Sequence, residues 1–284
     1  MAAASAAMTD RKRRDALPGF GVTLGFTLTY LGLVVLFPLA TLALRAGGLG
    51  FTGFLNVISE PRAIAALKLS FGLALAAAVL NAVAGTIIAW VLTRYRFPGR
   101  QLLDAIVDLP FALPTAVAGL ALTALYAPNG WLGAGLAQLG IKVAFTPLGI
   151  FIALVFIGVP FVVRTVQPVI LELQADVEEA AATLGASRLR TLWTVLLPTL
   201  APAILTGFGL AFSRGVGEYG SVIFIAGNIP KVSEIAPLLI TIRLEEFQYE
   251  SATAIALVML LLSFVVLFAI NLVQGYGRRR LGHV

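Results

Sequence analysis

The 284-residue sequence has no cysteine and a single histidine, His283. Without those side chains the fold cannot assemble a Cys/His zinc site or a Cys–His or Ser–His nucleophile pair, so no catalytic residues and no metal site are expected. With no cysteine to read, redox compartment is left open. Charge is scarce too. Asp, Glu, Lys and Arg make up 12% of the residues, against about 25% in average soluble domains. Hydrophobic residues make up 59% and the mean hydropathy is +0.96. Such a chain cannot cover a soluble surface, and it is far too apolar to be a disordered one. Gly-Lys occurs nowhere, so the phosphate-cradling loop G-x-x-x-x-G-K-[ST] is absent and the chain holds no ATP by that route.

What is present is long apolar runs. A hydrocarbon core about 30 Å thick needs about 20 apolar residues in a helix. Six stretches qualify, at about residues 20–44, 64–92, 105–127, 147–168, 194–224 and 250–274. The first follows a basic segment, as a signal peptide would, but its apolar part far exceeds the 7–15 residues of a cleaved signal; it reads as a retained helix. Pro and Gly concentrate between Pro198 and Gly220, which membrane bundles tolerate, and kinks are expected there. Gly21 and Gly25 have small-xxx-small spacing that lets the first helix pack closely, and Asn81 in the second span could bond across helices.

The net charge of +6 does not point to nucleic acid, because residues 11–14 and 278–280 hold seven of the basic side chains, all in the tails. Flanking a membrane suits them better. With the N-terminus cytoplasmic, twelve basic residues near span ends fall inside: those seven with Arg94, Arg96, Arg100, Arg188 and Arg190. Six fall outside: Arg45, Arg62, Lys68, Lys142, Lys231 and Arg243. Both termini are therefore expected inside a multi-pass, lipid-embedded chain.

The longest inner connection, about residues 169–193, reads as helix. Asp176 with Glu179 matches a capping box, acids in a first turn suit the helix dipole, and Gly185 stands at a left-handed C′ position. A second helix begins near Ser187 and climbs to Pro198. Glu179-Ala180-Ala181, Gly185 after three more residues, and Val195-Leu196-Leu197-Pro198 after nine more resemble the EAA signature of ABC importer permeases, with Val195 in place of Ile. The resemblance implies an all-α integral membrane protein of about six transmembrane helices, a type I ABC importer permease fold with a cytoplasmic coupling helix. It also implies that Glu178, Glu179, Ala180, Ala181, Gly185 and Pro198 couple to a separate ATPase. Glu179 either caps the helix alone or also pairs with a basic residue of that partner. A second pattern, Gly215-Val216-Gly217-Glu218-Tyr219-Gly220, satisfies G-x-G-x-x-G but lies in an apolar span with no strand before it, so it is not read as a dinucleotide site.

From about Pro18 to Gly282 the chain further resembles the permeases of sulfate/thiosulfate importers, T-type. Arg164-Thr165-Val166-Gln167-Pro168 and Ile225-Ala226-Gly227-Asn228 carry this, with the stretches 92–100 and 108–119. The resemblance implies a W-type permease partner, two ATPase subunits that bind the ATP and Mg, and a periplasmic sulfate/thiosulfate-binding protein, in a bacterial inner membrane. No cofactor would be bound by this chain. Domain boundaries are expected at 1–63 (tail, first span, outer loop), 64–275 (permease core) and 276–284 (tail). A molybdate or tungstate importer is the nearest alternative; a membrane enzyme would need an acid or His cluster, and a passive channel would need no coupling helix.

A dianion needs polar groups to cross hydrocarbon, and ionisable residues inside spans are the first candidates. These are Arg214 and Glu218, spaced i, i+4, with Ser213, Ser221 and Asn228 nearby. They form either a structural ion pair or a stretch of the anion path. Arg164 either snorkels to the headgroups or pairs with Asp108.

Overall fold

A computed structural model describes residues 19–173 and 175–280, without the side chains of 175, 176 and 276–280. The expected roles of the basic residues 11–14, of His283 and of the Asp176 and residue 278–280 side chains lie outside the described residues. The described residues are helical in thirteen pieces. These are α1 (Phe20–Gly47), α2 (Gly50–Ser59), α3 (Pro61–Arg94), α4 (Arg100–Val107), α5 (Leu109–Ala112), α6 (Thr115–Tyr126) and α7 (Gly133–Gln138), then α8 (Pro147–Glu172), α9 (Ala175–Thr183), α10 (Arg188–Val216), α11 (Val222–Ile225), α12 (Ala236–Glu245) and α13 (Tyr249–Arg280). Five of them, α1, α3, α8, α10 and α13, are long and apolar enough to cross a membrane.

The expected third span is not one helix. Residues 105–127 fall into α4, α5 and α6, with Asp108 between the first two and an extended Leu113 (φ −82°, ψ 134°) before Pro114. Proline disfavours helical geometry in the residue before it, so hydropathy carried through this stretch while helix did not. The fifth span also shifts: α10 begins at Arg188 and stops at Val216, short of Phe224, because Gly215, Gly217 and Gly220 crowd its end. A π-helical turn over Leu192–Leu196, with Leu197 N bonding Leu192 O, precedes Pro198. Pro198 cannot donate to the carbonyl four residues back and its ring crowds that group; a wider turn absorbs both defects. The same device precedes Pro38, at Gly32–Leu36 of α1.

The core is the three-helix contact of α3, α8 and α10. Along α3 the buried face is Ala66, Ser70, Ala74, Ala77, Asn81, Gly85 and Ala89, a small-residue stripe at helical spacing, which lets backbones approach closely where lipid removes the usual hydrophobic drive. A Cβ on Gly207 would lie 2.8 Å from the Val162 Cα, and one on Gly85 2.8 Å from the Val162 Cβ. Val162 thus marks one level of all three helices. Asn81, 1% exposed, lies against Gly158, and its Oδ1 has no hydrogen-bond partner among the described residues. The first half of α1 stands away from the bundle, with no buried residue and open space around Gly21 and Gly25, so their spacing serves no contact among the described residues.

Candidate functional site

The two ends of the bundle differ in what they hold. At one end α9 lies beside the end of α3 and the start of α10. It closes with a Schellman motif, in which Ala186 N bonds Ala181 O (3.0 Å), Gly185 N bonds Ala182 O (3.0 Å) and Gly185 sits at φ +77°. This is the left-handed C′ glycine expected at that position. Ser187 then caps α10, its Oγ accepting from Arg190 N. Glu178 lies 2.8 Å from Arg94 at the end of α3, out of line for a hydrogen bond, and Arg94 stacks over Trp90 at 5.2 Å. Glu179, Ala180, Leu184 and Leu189 are exposed while Ala181 is buried. The α9 helix is therefore tied to the long core helix by one acid and presents the neighbouring acid and apolar residues outward. An open cleft of about 610 Å³ beside it is lined by Trp90, Glu178, Glu179, Arg188, Thr191 and Leu196 among others.

At the other end Glu234, fully buried, receives a two-pronged bond from Arg62 (Nε to Oε2 2.8 Å, Nη2 to Oε1 2.7 Å). Arg243 of α12 reaches Glu60 at 2.6 Å and Gln248 at 2.8 Å. These pairs pin α12 to the start of α3. Sequence reasoning assigned Arg62 and Arg243 only to topology and passed over Glu234, since their partners lie more than a hundred residues away.

Between the ends sit two intramembrane arginines. Arg214 is 34% exposed at its side chain, and its Nη1 lies 2.5 Å from Glu218 Oε2. Among the described residues no hydrogen bond engages its Nε or Nη2. Glu218 is buried, and its other oxygen accepts from both the backbone N and the hydroxyl of Ser221, each at 2.9 Å. The i, i+4 pairing expected from sequence is thus present, with Ser221 joined to it. Ser213 is exposed and bonds its own helix at Gly209 O; Asn228, at φ +55°, donates to Ile223 O at 3.1 Å. Neither touches the Arg214 pair, so three of the five expected path residues come together directly. The loop 217–221 is braced by α6: a side chain at Gly119 would collide with the Ser221 carbonyl, and one at Gly220 with the Thr115 hydroxyl.

Arg164 does not snorkel. Its Nε and Nη2 clasp Asp108 (2.7 and 2.6 Å), its Nη1 meets Asp104 Oδ1 and Gln167 Oε1 (2.7 and 2.6 Å), and its Nη2 also reaches the Asp104 carbonyl (2.8 Å). Asp108 was an expected partner; Asp104 and Gln167 were not. Two charged acceptors within reach outweigh headgroup hydration for a half-buried guanidinium.

A family model described as binding-protein-dependent transport system inner membrane component matches residues 81–283. The sulfate transport system permease protein CysT of Salmonella typhimurium is 50% identical over 271 residues, covering 95% of this chain and 98% of its own. The CysT protein of Synechocystis is 51% identical over 253 residues, with 89% and 88% covered. Among solved structures, a bacterial ABC transporter involved in import of the acidic polysaccharide alginate has a similar fold, with TM-score 0.74 at 15% identity over 90% of this chain and 94% of its own. The MetNI methionine ABC transporter superposes at 0.53, with 18% identity and 77% and 99% covered.

Proposed function

The chain belongs to the binding-protein-dependent transport system inner membrane components, and from that premise we propose that it is the membrane-spanning subunit of an ATP-driven sulfate importer that also carries thiosulfate. It is a transport subunit and not an enzyme; substrate leaves chemically unchanged. ATP and Mg belong to two ATPase subunits that dock on the α9 side, a W-type permease completes the channel, and a periplasmic protein hands over the anion at the α12 side. Both termini then face the cytoplasm of a bacterial inner membrane. The residues 64–275 form the permease core of this reading.

The observation that carries the anion path is the Arg214 guanidinium: inside a span, partly exposed, with one of its nitrogens engaged. A guanidinium offers five N–H donors in a fork suited to oxyanions. Glu218, held in place by Ser221, neutralises Arg214 between turnovers and competes with the passing dianion, so binding stays weak enough for release. Ser213 and Asn228 flank this stretch as further polar contacts along the route. On the α9 side, Glu178 ties the coupling helix to α3, Glu179 and Ala180 present the docking surface with the buried Ala181 seating it from beneath, and Gly185 and Pro198 shape the turn by which its movement enters α10.

The test is uptake of labelled sulfate into proteoliposomes that contain the whole complex and its binding protein. The expected result is uptake that needs ATP and is competed by thiosulfate more strongly than by molybdate. ATP-independent flux, or stronger competition by molybdate, contradicts the reading.

A further inference from the structure

Arg164 is not part of the Arg214 pair, and its donors are all spent. The five bonds above use every N–H that a guanidinium has, and Gln167 Nε2 closes the ring by donating to Asp104 at 3.1 Å. The aspartate acceptors lie on the broken third span, Asp104 in α4 and Asp108 at its junction with α5, while Arg164 and its other acceptor, Gln167, lie on the core helix α8. Prolines 110 and 114 deprive that span of continuous helical bonding, so α4 and α5 are joined to the core by this clasp together with the edge-to-face contact of Phe111 with Phe161 (5.0 Å) and the packing of Val107. The far end of the same span is α6, whose Thr115 and Gly119 press on the loop carrying Glu218 and Ser221.

We propose that Arg164 is a positioning residue for the anion path, acting through the broken span to hold α6 against the loop 217–221. The inference rests on the reading of Arg214 and Glu218 given above. Arg164 clamps one end of a strap, and the strap's other end fixes the carboxylate that answers Arg214. The level marked by Val162 and Gly207 places Arg164 two residues to one side and Arg214 seven to the other, about 13 Å apart along the bundle at ~1.5 Å per residue. Arg164 therefore acts on the pair at a distance, by backbone placement.

The absence of cysteine makes the test direct. Ala118 of α6 is 3% exposed, so Ala118→Cys introduces one buried thiol into the assembled complex. Its labelling by N-ethylmaleimide is read on this chain by mass spectrometry. Expected are slow labelling with Arg164 present, clearly faster labelling with Arg164→Gln, and uptake reduced by up to about a hundredfold, the scale of a ~1 Å misplacement at a distance. Arg164→Lys restores the charge without the fork and is expected between the two. Unchanged protection in Arg164→Gln, with or without loss of uptake, overturns the proposal, as does full rescue by lysine. If Arg164→Gln fails to assemble, Asp104→Asn keeps the Asp108 clasp and is expected to give a smaller change in the same direction; none overturns the proposal. Normal uptake by Arg214→Gln would remove the path reading, while the Ala118→Cys labelling still decides whether Arg164 places α6.

Discussion

Arg164 and Arg214 are the same side chain in the same bundle, and they are used in opposite ways. Arg164 spends five donors on two aspartates, a glutamine and a carbonyl, while Arg214 has one short contact to Glu218. A saturated guanidinium has nothing to offer a passing anion and acts as a fastener. An undersaturated one, a third exposed, retains its fork. The difference lies in what the neighbouring helix supplies: a broken span brings carboxylates to Arg164 from a second helix, whereas among the described residues Arg214 has only the acid one turn along its own chain.

The comparison breaks most severely at the undersaturated arginine. Arg214→Glu places two acids at i, i+4 and should reduce sulfate uptake by about a hundredfold or more, since removing a charge-stabilising donor alone is worth about 10²–10³ in well-formed sites. With Glu218→Gln added to remove the buried acid that this change strands, the amount of purified complex should not change. Loss of assembly instead would make Arg214 a fastener like Arg164. A third arginine sharpens the contrast. Arg62→Gln strands the fully buried Glu234, and losing one partner of a buried pair costs about 3–5 kcal/mol. The expected outcome is a clear drop in the thermal midpoint of the complex, recovered in part by Arg62→Gln combined with Glu234→Gln.

Smaller effects test the frame on which both arginines ride. Gly207→Ala forces a methyl to within 2.8 Å of the Val162 Cα, a backbone atom that cannot turn aside, and overpacking of this kind costs about 1–3 kcal/mol. Thermal unfolding should show it, and a neutral result would mean that the level shared by α8 and α10 is soft. Gly185→Ala meets nothing within 4 Å but keeps φ at +77°, a strain of about 1 kcal/mol. Its expected signature is ATP hydrolysis retained with uptake reduced, because only the end of α9 is disturbed. Tight coupling in that variant would count against the role of the Schellman turn.

Local features were legible in the sequence and distant ones were not. The i, i+4 spacing announced the Arg214–Glu218 pair, and Gly185 announced the end of α9, because both depend on residues within one or two turns. Four spans appear within a few residues of where hydropathy puts them, since length and apolarity are all a lipid-facing helix needs. The third span failed the same test for a physical reason: Pro110 and Pro114 break helix without changing hydropathy. Arg62 with Glu234, and Asp104 with Arg164, depend on which helices the fold brings together, and nothing in their own neighbourhoods records it. The short helix α12, set within an expected outer loop, was missed likewise; its pairing with α3 supplies the order that its ten residues alone cannot.

The most direct measurement of the central claim uses the missing cysteine again. With Ser213→Cys, an exposed position beside the intact Arg214, in the complete transporter, the modification rate by a negatively charged thiol reagent is followed with and without saturating sulfate delivered by the binding protein during turnover. The account predicts a reactive thiol that sulfate protects, because reagent and anion share one route past that position. A thiol that never reacts, or one that reacts equally with and without sulfate, would contradict it.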